Sequence, residues 1–65
     1  MNQEKIGKFI AECRKKKNLT QEELAGKLGV NSRSISRWEN GNCLPDLSLL
    51  PLISKDLNVS INELM

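Results

Sequence analysis

The chain has 65 residues, 38% hydrophobic and 28% charged, with a net charge of +2 and neither histidine nor tyrosine. A domain this short buries only about 60% of its unfolded surface, so little core is left to support a deep catalytic cleft. Without histidine it lacks the commonest general base and metal ligand, which argues against an enzyme and against a metal site.

The charge is unevenly spread. Residues 1–17 carry six basic and two acidic groups, residues 18–44 balance, and residues 45–65 carry one basic and three acidic groups. A basic first segment followed by an acidic end implies a polarised surface. The opening MNQEKIGKFI holds no apolar run of signal-peptide length. No stretch is long and apolar enough for a membrane span. The expectation is one domain over residues 1–65, cytoplasmic, off the membrane, with reduced thiols at Cys13 and Cys43 and no cofactor. Two cysteines without histidine do not compose a zinc site.

In chain order, Ile6, Phe9, Ile10 and Cys13 recur at i, i+3, i+4 and i+7, one apolar face of a helix over about 3–17. Lys15, Lys16 and Lys17 suit the negative end of its dipole, and Asn18 stops it. Thr20 with Glu23 forms a capping box for a second helix, 20–28, whose inner side is Leu24, Ala25 and Leu28 and whose stop is Gly29. Gly26 inside that helix costs about 0.5–1 kcal/mol. Asn31 caps a third helix, 31–40, with Ile35 and Trp38 inward and Asn40-Gly41 as its stop. Ser48 is the expected cap of a fourth helix with Pro51 in its first turn and an apolar face of Leu49, Leu52, Ile53 and Leu57. Ser60 with Glu63 opens a final turn carrying Ile61 and Leu64. The expected fold is all-α, a compact five-helix bundle.

The third helix poses a specific question. VNSRSISRWENG, residues 30–41, pairs an apolar side with an opposite side of Ser32, Arg33, Ser36 and Arg37. A salt-bridged surface helix would place glutamates four residues from its arginines, but positions 29 and 41 are both glycine. Helices 20–28 and 31–40, joined at Gly29 and Val30 with small Ala25 between them, have the pattern of a helix-turn-helix. Its second helix enters the DNA major groove. Short serines let such a helix lie close to base edges, and arginine can meet O6 and N7 of guanine with two hydrogen bonds.

TQEELAGKLGV, ISRWENG, PDLSLLPLI and LNVSINEL together resemble the Cro and phage-repressor type of helix-turn-helix domain, also called the Xre family, from about Ile6 to the end of the chain. The resemblance implies a five-helix, lambda-repressor-like domain of bacterial or phage type that binds a palindromic double-stranded DNA operator as a homodimer. Carried over by position, Gln21 and Asn40 contact phosphate, helped by loop amides after Gly41. Asn31 and Asn42 join them as phosphate-binding candidates. Ser32, Arg33, Ser36 and Arg37 read bases, and Arg14 pairs with Glu39. Serines stand where such repressors often carry glutamine, which leaves the operator sequence unread. The implied function is a sequence-specific transcriptional regulator, a repressor in its first reading. The alternative is a protein-interaction module that keeps the fold without DNA. The domain is expected to be monomeric or weakly dimeric alone, with any dimer contact within residues 55–65, where Leu57, Val59, Ile61 and Met65 cluster, most of them expected in the core.

Overall fold

The computed structural model describes residues 2–60. Helix α1 spans Gln3–Lys16, with the Asn2 side chain accepting a hydrogen bond from the Lys5 amide at 3.0 Å. Glu4 lies in the positive first turn and Arg14, Lys15 and Lys16 in the negative last turn, each where the dipole favours it. Asn18, at φ 58°, then turns the chain through the left-handed region, which asparagine enters more readily than most residues.

Helix α2 spans Gln21–Leu28 and opens on the reciprocal bonds of a capping box. The Thr20 hydroxyl accepts from the Glu23 amide at 3.0 Å, and the Glu23 carboxylate accepts from the Thr20 amide at 2.9 Å. These bonds, the one from the Thr20 amide foremost, hold the Glu23 carboxyl below its ordinary pKa. Gly29, at φ 72°, ends the helix. Helix α3 spans Ser32–Glu39, capped by Asn31, whose side-chain oxygen accepts from the Arg33 amide at 2.8 Å. A 3₁₀ turn, Leu47–Leu49, leads into α4, Leu50–Leu57.

Two expectations are corrected here. The cap before the fourth helix is Asp46, not Ser48: the Asp46 carboxylate accepts from the Ser48 amide at 3.1 Å and starts the 3₁₀ turn. A carboxylate is a stronger acceptor than a hydroxyl, and Pro51 needs its own position in the first turn, where no amide donor is required. Leu52 is 43% exposed, so the inner face of α4 is Leu50, Ile53 and Leu57, with Leu49 of the preceding turn beside them. At about 100° per residue, Leu49, Leu50 and Leu57 all lie within about 60° of Ile53, whereas Leu52 lies about 100° away. Five helices were expected. The described residues hold four α-helices and the 3₁₀ turn, and the turn around Ile61 and Leu64 falls outside them.

Each α-helix sends one isoleucine or leucine to the centre: Ile10, Leu24, Ile35 and Ile53 are fully buried. Ile6, Cys13, Ala25, Leu28, Trp38 and Leu57 surround them. α3 packs on both α1 and α2. Leu57 therefore belongs to the core and is not open to a second copy of the chain, and Val59 packs beside it. Ile61 and Met65 lie outside the described residues.

α1 and α3 approach closely at Gly7. A methyl group added at Gly7 would lie far inside van der Waals contact with the Trp38 carbonyl oxygen, and 3.1 Å from the Glu39 carbonyl oxygen. Gly26, by contrast, faces open space. Gly7→Ala is expected to destabilise the domain by about 1–3 kcal/mol, since the neighbours are backbone atoms that cannot turn aside. Gly26→Ala is expected to stabilise it by about 0.5–1 kcal/mol through helix propensity. Urea titrations of the two variants check both signs. Equal effects would show that the close approach does not set the packing.

Candidate nucleic-acid interface

α3 divides into two sides. Ile35 and Trp38 are buried, while Arg33 and Arg37 are exposed and Ser32 and Ser36 are half-buried beside them. One helical turn separates the two guanidiniums, so both project from the same face. Among the described residues neither arginine forms an ion pair. An eight-residue helix is too short to persist alone in water. What holds this face outward is the seating of Ile35 and Trp38 and the tight turn from α2. In that turn the Val30 amide donates to the Ala25 carbonyl at 3.0 Å.

The C-terminal end of α3 is fixed by a charged network. Arg14 Nε donates to Glu39 Oε2 at 2.7 Å and its Nη2 to Oε1 at 3.0 Å, a two-pronged pair. Arg14 Nη1 also donates to the Leu19 carbonyl at 2.8 Å. Only 11% of the Arg14 side chain and 8% of the Glu39 side chain is exposed. The hydrogen bond to Glu39 raises the Arg14 pKa above its ordinary value; burial opposes this, and the attraction of the Glu39 charge adds to it. The guanidinium is therefore charged wherever the domain folds.

Gln21 joins the same network. Its side-chain nitrogen donates to Glu39 Oε1 at 3.0 Å, a partner that sequence reasoning missed. The signal was faint: a first-turn glutamine and a helix-end glutamate 18 residues on share no local spacing. An amide nitrogen carries two hydrogens, so one remains outside this bond.

The other candidates lie at the two ends of α3. Asn31 is its N-terminal cap. Asn40 follows its last residue, and the Asn40 side-chain nitrogen donates to the Ser36 hydroxyl at 3.2 Å. Asn42 is exposed. The loop amides differ from expectation. Those of Gly41 and Asn42 turn back onto the helix, donating to the Trp38 and Arg37 carbonyls at 3.1 and 2.9 Å. Beyond Gly41, Cys43 is thus the first residue whose amide makes no such bond among the described residues. No helix among the described residues is long and apolar enough to cross a membrane.

Comparison with known proteins places this geometry in context. A helix-turn-helix family model matches residues 10–64. The transcriptional activator BcrR of Enterococcus faecalis is 45% identical over 56 residues, covering 86% of this chain and 28% of the activator. The transcriptional repressor RstR of the cryptic phage CTXphi in Vibrio cholerae is 37% identical over 60 residues, covering 92% of this chain and 54% of the repressor. The chain thus spans about a quarter to a half of these relatives. Among solved structures, the restriction-modification controller protein C.AhdI from Aeromonas hydrophila superposes with a TM-score of 0.85 at 27% identity. That match covers 95% of this chain and 94% of the controller.

The Arg14–Glu39 pair is expected to be strongly coupled. A domain of this length has a total stability on the order of 3–10 kcal/mol. Arg14→Met should cost about 3 kcal/mol, the low end for stranding a buried charge, because Gln21 stays on the carboxylate. A double-mutant cycle with Glu39→Gln, read by thermal melting, should give a coupling above about 1 kcal/mol. Additive losses would show that the two side chains act independently.

Proposed function

This chain belongs to the helix-turn-helix family of the Cro and phage-repressor type, and on that premise we propose that it is a sequence-specific DNA-binding transcriptional regulator. α3 lies in the major groove of an operator, and occupancy of that operator represses transcription. The observation that carries the reading is the outward face of α3: two exposed arginines one turn apart, without an ion pair among the described residues and flanked by serines, on a helix anchored from behind. A cation left without a partner on a rigid helix is suited to a polyanion with acceptor edges. Arg33 and Arg37 each offer two parallel donors to O6 and N7 of guanine, and Ser32 and Ser36 allow close approach. Asn31, Asn40 and Asn42 at the ends of the helix, with the second hydrogen of the Gln21 amide, address phosphates. Repression needs only this face, because occupancy alone excludes other proteins from the site. A regulator of this kind works in the cytoplasm.

The operator is read as palindromic and bound by two copies. A recognition helix repeats along one side of DNA every ~34–36 Å, or 10–10.5 base pairs. On this reading the domain is a monomer or a weak dimer alone and pairs on the operator, each recognition helix facing one of two successive turns of the major groove.

Selection of binding sites from random duplexes is expected to return two half-sites 10–10.5 base pairs apart, centre to centre. Arg37→Ala should cost about 1–3 kcal/mol on the selected site and flatten preference at one or two base pairs. Asn42→Ala should weaken all sequences by a common factor, since phosphate contacts carry no direct sequence information. Failure of the wild type to distinguish any duplex from random DNA would refute the reading in favour of a protein-interaction module. An unchanged motif with Arg37→Ala would refute the assigned roles.

A further inference from the structure

We propose that Gln3 is a positioning residue for DNA-backbone recognition: it anchors the turn at residues 40–42 to α1, and thereby holds Asn40 and Asn42 where they meet phosphate. The proposal rests on the DNA-binding function proposed for α3. Gln3 lies in the first turn of α1, and its side-chain nitrogen donates to the Gly41 carbonyl at 3.1 Å, across 38 residues of sequence.

Two further observations give that bond its meaning. Gly41 stands at φ 75° and lies flat on the start of α1. A methyl group there would come within 3.0 Å of Glu4 Cγ and 3.2 Å of Glu4 Cα. The turn is thus clamped from both sides. Its own amides, those of Gly41 and Asn42, are bound to α3 carbonyls, and the Gly41 carbonyl is bound by Gln3. The second observation is register. Gln3, Gly7 and Arg14 lie at i, i+4 and i+11, within about 40° of one another around α1. All three meet the end of α3: Gln3 at Gly41, Gly7 at the Trp38 and Glu39 carbonyls, Arg14 at the Glu39 carboxylate. Gln3 is the exposed member of that stripe. Gly7 and Arg14 meet α3 itself, whereas the Gln3 side chain bonds the turn that carries the asparagines.

An exposed single hydrogen bond contributes little to the global stability of the domain, because water replaces it on unfolding. It does decide how much the turn moves. Without it Asn40 and Asn42 sample more positions, and the cost of ordering them appears when DNA binds.

The test uses the full chain and Gln3→Met, which keeps side-chain length and removes the donor. Affinity is measured by fluorescence anisotropy for the selected operator and for an unrelated duplex, and thermal melting is recorded in parallel. The expected result is a loss of about two- to tenfold, the range of one net hydrogen bond, by the same factor on both duplexes and with the melting temperature unchanged. In an Asn40→Ala/Asn42→Ala background, Gln3→Met should have no further effect. Amides at residues 41 and 42 should exchange faster in Gln3→Met without DNA. Unchanged affinity, a loss confined to the operator, a loss that persists without the asparagines, or a lowered melting temperature would each overturn the proposal. A wild type that binds neither duplex would remove the function proposed for α3 and this proposal with it. A wild type that binds beside an indistinguishable Gln3→Met removes this proposal alone.

Discussion

The architecture depends on how closely α1 and α3 approach at Gly7. No side chain fits there, because the Trp38 and Glu39 carbonyls occupy the space a methyl group would take. That contact brings the last turn of α3 against the middle of α1, and it lets Arg14 reach Glu39 in two-pronged geometry. With α3 packed on α1 through one flank and on α2 through another, only its third side remains for solvent. The exposed arginines are thus a consequence of packing as much as of sequence.

The same contact explains how α3 holds two exposed arginines that form no ion pair among the described residues. A lone eight-residue helix with four polar residues on one side has too little helix propensity to form by itself. Here the burial of Ile35 and Trp38, two caps and the Glu39 network carry the stability, so stability does not depend on ion pairs at Arg33 and Arg37. Charges that would stabilise such a helix locally, glutamates at i±4 from the arginines, would neutralise its outward face. Stability drawn from the rear of the helix leaves the front for recognition.

Much of this was legible in the sequence, and the parts that were not share a cause. Caps at Thr20 and Asn31 and stops at Gly29 and Gly41 are local signals, read within four residues, and the structure forms each one. The inward positions Ile10, Leu24, Ile35 and Ile53 follow from helical period. Leu52 misled because leucine at i−1 from a core isoleucine is hydrophobic without being inward. Asp46 was missed because the 3₁₀ turn starts the helix earlier than the serine suggests. Gly7 and Gln3 escaped because the stripe they share with Arg14 is not apolar, so no hydrophobic pattern marks it. A glycine within a strongly helical segment, followed by an arginine seven residues later, was the available signal.

Gln21 shows where resemblance and geometry must be combined. Resemblance implies that it contacts phosphate; the structure places one of its amide hydrogens on Glu39. Neither statement excludes the other, because the amide nitrogen carries two hydrogens. A glutamine side chain free in solvent would lose rotamer freedom on meeting a phosphate, a cost on the order of 0.5–1.5 kcal/mol. Glu39 has already imposed that order, and Arg14 has imposed the order of Glu39. On the DNA-binding function proposed above, the half-buried pair bears on affinity as well as on folding: it sets the direction of an amide at the positive start of α2, where the helix dipole favours an anion. A substitution in the pair that left the domain folded would still loosen Gln21. The ion pair thus joins α1 to the start of α2 and the end of α3, the two helices of the helix-turn-helix.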